Sequence, residues 1–95
     1  MIFKGELLAE DRNTPEVHVD QILDVKGLDC PLPILRAKVV LLQIRPGEVL
    51  KILATDPHAV VDFRAFCAQT GHELIRITES DGVFEFMIRK AEDPV

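Results

Sequence analysis

The sequence predicts a small α/β (α+β) two-layer sandwich, built in the order β-α-β-α-β-β. Three observations carry that expectation. First, two stretches of helical periodicity each begin at a proline, at Cys30-Pro31-Leu32-Pro33 and at Asp56-Pro57. Proline is excluded from helix interiors but harmless in the first turn, where backbone N–H groups have no intrahelical partner. Second, a short apolar run precedes each start, around Ile22–Val25 and over Val49–Thr55. Third, the chain closes with two alternating runs separated by Ser80-Asp81-Gly82, a hairpin signal. Each β-α-β step calls for a parallel, right-handed crossover, and the hairpin for antiparallel pairing. The expected sheet is mixed and four-stranded, with two helices on one face.

Taken in order, residues 1–20 read as an N-terminal extension. Glu10-Asp11-Arg12-Asn13-Thr14-Pro15-Glu16 is polar and loop-like, the composition of a mobile tail. The domain proper spans 21–91, and 92–95 form a C-terminal tail. Ile22, Leu23 and Val25 suggest a strand that ends at Lys26-Gly27. The first helix is expected from Pro31 to Gln43 or Ile44, with Cys30 as its N-cap. Arg36, Lys38 and Gln43 share its solvent face. Arg45-Pro46-Gly47 stops it. Val49 to Thr55 is almost wholly apolar, as in a central strand. Asp56 reads as the cap of the second helix, which runs to Gln69 or Thr70. Val60, Phe63 and Cys67 mark its buried face, and Gly71 suits the position after it. Glu73–Thr78 and Val83–Lys90 are the last strands. In the second of these Phe84, Phe86 and Ile88 alternate with Glu85 and Arg89, so one face is covered and the other partly solvated.

The chain has 95 residues, is 47% hydrophobic and carries a net charge of −5. That is one domain with enough apolar content for a core. The negative balance argues against nucleic acid, which needs clustered Lys and Arg. No apolar run approaches the roughly 20 residues of a membrane span, and no signal-peptide core is visible. The expected address is cytoplasmic, with both cysteines free. Cys30, Cys67, His18, His58 and His72 are metal-ligand types, but none are paired at the close spacing of structural zinc sites. No Gly-rich phosphate loop or Ser-His-Asp pattern is present. Neither a metal nor a cofactor is expected. The oligomeric state is open at this level.

Cys30 is the candidate catalytic residue. Cysteine caps helices poorly beside Asp, Ser or Asn, so its place there needs another reason. A sulfur at the positive end of a helix dipole has its thiolate stabilised. Asp29 beside it opposes that effect. The two effects oppose each other, and the residues alone set no direction for the net shift. Pro31 and Pro33 are expected to rigidify the cap, leaving only the N–H groups of Leu32 and Ile34 near the sulfur. Cys67 reads as a small core hydrophobe. Arg36, close to Cys30 along the helix, is the candidate for partner docking, whereas Lys38 reads as solvated.

The stretch Leu23-Asp24-Val25-Lys26-Gly27-Leu28-Asp29-Cys30-Pro31-Leu32-Pro33 resembles the signature of the TusA/SirA-like sulfur-carrier family. Gly47-Glu48, Thr55-Asp56-Pro57, Asp62 with Phe66, Gly71-His72-Glu73-Leu74 and Ile88-Arg89-Lys90 agree with it in order. The resemblance covers about 20–90. It implies a two-layer sandwich and a sulfurtransferase whose cysteine, here Cys30, takes sulfane sulfur as a persulfide. Sulfur-donor and sulfur-acceptor proteins are the implied partners, in tRNA thiolation, molybdenum-cofactor maturation or sulfur oxidation. Two features depart from the family: the first 20 residues have no counterpart, and Leu32 stands where tRNA-thiolation members carry glutamate. The residues alone also leave two rivals open, a non-catalytic interaction module and a thiol redox switch using Cys30 and Cys67.

Overall fold

The computed structural model describes residues 17–92. The elements are β1 (Gln21–Val25), α1 (Leu32–Gln43), β2 (Val49–Ala54), α2 (His58–Thr70), β3 (Glu73–Ser80) and β4 (Val83–Arg89). They form one four-stranded mixed sheet in the order β1-β2-β4-β3. β1 and β2 pair in parallel, while β4 pairs antiparallel with both β2 and β3. The hairpin strand β4 is thereby inserted between β2 and β3.

Alternation explains the layers. Leu50, Ile52 and Ala54 pair with Ile88, Phe86 and Phe84 on one face. Leu50, Ile52, Phe86 and Ile88 have no exposed surface. They share a single core with Ala37 and Leu41 of α1 and with Ala59, Phe63 and Cys67 of α2. Both helices therefore cover the same face, as the sequence predicts. At the centre the rings of Phe63 and Phe86 lie 4.7 Å apart. The opposite face carries Lys51 ion-paired with Glu85, and Arg89 ion-paired with Glu73. Val49 and Met87 are nevertheless buried there, at 3% and 4% exposure.

The turns follow local chemistry. Asp81 and Gly82 both take positive φ, 52° and 80°, as a two-residue hairpin turn with strand-matching twist requires. Gly71 ends α2 in the left-handed conformation and donates its N–H to the Cys67 carbonyl at 2.9 Å.

Two expectations need correction at the helix starts. α1 begins at Leu32, with Pro31 as its N-cap, so Cys30 stands one residue outside the helix. α2 likewise begins at His58, with Pro57 as the cap position. In both cases the proline accepts a position before the first turn rather than inside it. The turn after β3 is also shorter than read, since Glu79 and Ser80 still pair with Phe84 and Val83.

Residues 1–16, most of the expected extension, and 93–95 lie outside the described residues. Asp20, read as part of that extension, is tied to the sheet. Its N–H donates to the Val49 carbonyl at 2.9 Å, and its Oδ2 accepts the Val49 N–H at 2.8 Å. No helix among the described residues is long and apolar enough to cross a membrane.

Candidate functional site

β1 and β2 are parallel neighbours, so the loops leaving their C-terminal ends run side by side. This is the end of an α/β sheet where crevices form. The two loops are joined by side chains of the second. Thr55 Oγ1 accepts the Gly27 N–H at 2.9 Å, and Asp56 Oδ2 accepts the Cys30 N–H at 2.6 Å. Asp56 Oδ1 also accepts the His58 N–H at 3.0 Å. One carboxylate thus satisfies a free donor at the start of α2 and fixes the backbone of Cys30. These bonds hold the Asp56 carboxyl below the usual carboxylate range, with the His58 N–H the larger cause and the Cys30 N–H next. Asp56 thus stands one residue before the cap position and still satisfies the His58 N–H, with the cysteine loop added to that role.

Cys30 is exposed and free. The Cys30–Pro31 peptide is cis. Its Sγ–H donates to Asp62 Oδ2 of α2 at 3.2 Å. This hydrogen bond is the main reason that the thiol is held above its ordinary range; desolvation and the negative charges of Asp62 and Asp56 add to it. The helix-dipole expectation is corrected here. With α1 starting at Leu32, the sulfur does not cap it, and the Leu32 N–H donates to the Asp29 carbonyl at 2.8 Å instead. The opposing charges also come from Asp62 and Asp56 rather than the adjacent Asp29.

Two shallow spaces flank the sulfur. One, about 400 Å³, is lined by Asp29, Asp56 and His58. The other, about 220 Å³, is a groove between the helices bounded by Ile34, Lys38, Asp62 and Phe66. Pro31 is exposed at the cap, whereas Pro33 is buried against the core, which anchors the first turn of α1. Arg36 is exposed on α1 and lines neither space. Lys38, read as solvated, places its ammonium 5.7 Å from the Phe66 ring centroid.

Cys67 is 6% exposed within the core. Burial pushes its thiol up to about 11. Among the described residues no three His, Cys, Asp or Glu side chains converge as a metal site. Asp62 is the residue the site reading lacked. Two signals mark it: it is a landmark of the family resemblance together with Phe66, and it falls on the Ala59–Phe66 side of α2, next to the apolar face.

A compact two-layer sandwich that presents one thiol at a loop, without a deep pocket around it, defines a small thiol-bearing protein. The comparisons say which one it resembles. Residues 21–90 match the family model described as Sulfurtransferase TusA, so the chain belongs to the TusA family. A Neisseria meningitidis serogroup A protein with a provisional sulfur-carrier name is 56% identical over 69 residues, 73% of this chain and 93% of its own. Sulfur carrier protein TusA of Allochromatium vinosum is 54% identical over 72 residues, covering 76% of this chain and 95% of that one. A SirA-like protein of Desulfitobacterium hafniense has a crystal structure with a TM-score of 0.69 at 27% identity, covering 77% of this chain and 100% of that one.

Proposed function

We propose that this chain is a sulfur carrier and that Cys30 is the atom-bearing residue. The observation that carries the reading is the pairing of an exposed free thiol with an acceptor carboxylate, Cys30 Sγ to Asp62 Oδ2 at 3.2 Å. A thiol attacks as its thiolate, so the proton must leave when a donor arrives. Asp62 is placed to receive it. Cys30 sulfur then attacks the terminal sulfur of a donor persulfide. The donor S–S bond breaks, the donor leaves as a thiol, and Cys30 becomes Cys30–S–SH. Release is the same exchange in reverse: an acceptor thiolate takes the outer sulfur and Cys30 regains its proton. No net oxidant is required.

Partner proteins supply and remove the sulfur. The reading has them dock on α1, where Leu32, Leu35, Val39 and Leu42 expose 44%, 48%, 53% and 82% of their surface. These positions recur at helical spacing and form one stripe that begins two residues from Cys30. Arg36 borders the stripe and would meet an acidic group on the partner. Pro31 and Pro33 support the cap from which the sulfur projects. Two unpaired cysteines suit the reducing cytoplasm as the place of work.

Cyanolysis tests the assignment. Protein incubated with a persulfide donor and desalted should release one equivalent of thiocyanate on cyanide treatment. Cys30→Ser should release none while keeping its fold. Equal release from that variant would overturn the proposal.

A further inference from the structure

A further, more apolar cavity lies toward the other end of the helix pair. It measures about 370 Å³, between the C-terminal halves of α1 and α2, with Lys90, just past β4, at its edge. Small-molecule sites span roughly 300–1,000 Å³. Leu41, Leu42 and Phe66 supply apolar walls, and Lys38, Lys90 and His72 supply polar groups. No carboxylate among the described residues lines it. This stands against the rest of the chain, where 16 acidic residues outnumber 11 Lys and Arg.

Among the described residues His72 is the buried polar side chain, only 8% exposed. Its Nδ1 accepts the Ala91 N–H at 2.9 Å. A ring nitrogen that accepts carries no proton, so the neutral imidazole holds its proton on Nε2. Burial, and then the charge of Lys90, keep the ring neutral. Nε2–H has no hydrogen-bond partner among the described residues. A buried donor without an acceptor is costly, and such groups mark sites that something else completes. Lys90 Nζ donates to the Ile44 carbonyl at 2.7 Å, which leaves it further N–H groups. Lys38 forms no ion pair with any described residue.

We propose that this cavity binds a small carboxylic acid as its anion. The carboxylate sits among the Lys38 and Lys90 ammonium groups and His72 Nε2–H. A short apolar body rests on Leu41, Leu42 and Phe66. Two carboxylate oxygens match several separate donors, and the charge selects the acid over its neutral analogues. The cavity and the groove beside Cys30 share Lys38, Phe66 and Gln69. A bound acid therefore lies next to the sulfur site without being part of it, and the inference stands independently of the sulfur chemistry.

Hydrocinnamate is the probe, with hydrocinnamyl alcohol as its neutral counterpart. Each is titrated into the full chain and followed through backbone amide NMR shifts. The acid should give saturable shifts centred on Phe66, Thr70, His72 and Lys90, with a Kd of about 1–10 mM for a ligand of this size. The alcohol should bind about tenfold more weakly or worse. Lys38→Met should weaken the acid by a similar factor and leave the alcohol unchanged. Lys90→Met also strips the Ile44 carbonyl of its partner, so the exposed Lys38 carries the test. Absent or scattered shifts, equal binding of the alcohol, or unchanged acid affinity in Lys38→Met would each overturn the proposal.

Discussion

Asp62 Oδ2 accepts a hydrogen bond from the Cys30 thiol, with sulfur and oxygen 3.2 Å apart, across 32 positions of sequence. A carboxylate this close favours the protonated sulfur and disfavours the thiolate. The resting cysteine is consequently a restrained nucleophile, and its proton has a defined place to go.

Replacing Asp62 with Asn removes the charge and the strongest acceptor. The thiol pKa should fall, because the hydrogen bond to Asp62 is the largest cause that raises it. More thiolate is then present at neutral pH. Alkylation of Cys30 by iodoacetamide should be faster by roughly threefold or more, since each pK unit is a factor of ten in ionisation. The midpoint of its pH–rate curve should move to lower pH. An unchanged rate would mean that Asp62 does not set the state of the sulfur; a slower one would mean that proton removal by Asp62 outweighs its hold on the thiol.

Asp56 couples stability to acid. Its folded-state pKa is lowered, so its contribution is complete above the unfolded carboxyl value near ~3.9 and is lost as pH falls through the folded value. Thermal unfolding followed from pH 6 down to pH 3 (roughly the range of ordinary carboxyl titration) should show a steep acid limb in the wild type. Asp56→Asn, which cannot ionise, should start lower at neutral pH, by several degrees in Tm, and show a flatter limb. Parallel curves would remove Asp56 from the account.

Phe63 and Phe86 hold the two layers together. Both are fully buried, with rings 4.7 Å apart. Phe63→Ala should cost about 3–5 kcal/mol. Domains of this size have roughly 5–14 kcal/mol in total. Urea titration should therefore find the variant near the edge of folding. A loss under about 1 kcal/mol would show that the helix layer repacks around the gap.

Much of this was readable because periodicity reports faces. Leu50, Ile52 and Ala54 alternate in the sequence and are buried together, and Val60, Phe63 and Cys67 fall on the core side of α2. Strand neighbours are a different matter. Alternation within β4 does not say that it separates β2 from β3, since that depends on which edge the hairpin adds to. The helix starts were displaced by one residue, because proline tolerates the cap as well as the first turn. Cys30 itself stood out by its motif, but its partner did not. Asp62 is marked in the sequence as a family landmark, but its pairing with the cysteine appears only when α2 is laid beside the loop after β1. His72 and Lys38 were likewise separated in sequence and joined only by the packing of α1 on α2.

Cys67 distinguishes a carrier from a redox switch. Its thiol is buried in the core and pushed up to about 11 by that burial. Iodoacetamide at neutral pH should label Cys30 alone in the native protein and both cysteines in denaturant. Mild oxidation should yield no internal disulfide. Formation of a Cys30–Cys67 bond in the native state would restore the switch reading.

The measurement that reaches the central claim most directly is intact mass spectrometry of the reduced chain after incubation with a persulfide donor, followed by alkylation and peptide mapping. The account predicts a single added sulfur on the Cys30 peptide, lost on reduction, retained in Cys67→Ser and absent from Cys30→Ser. An adduct on Cys67, or none from several donors while Cys30 still accepts alkylating reagent, would contradict it.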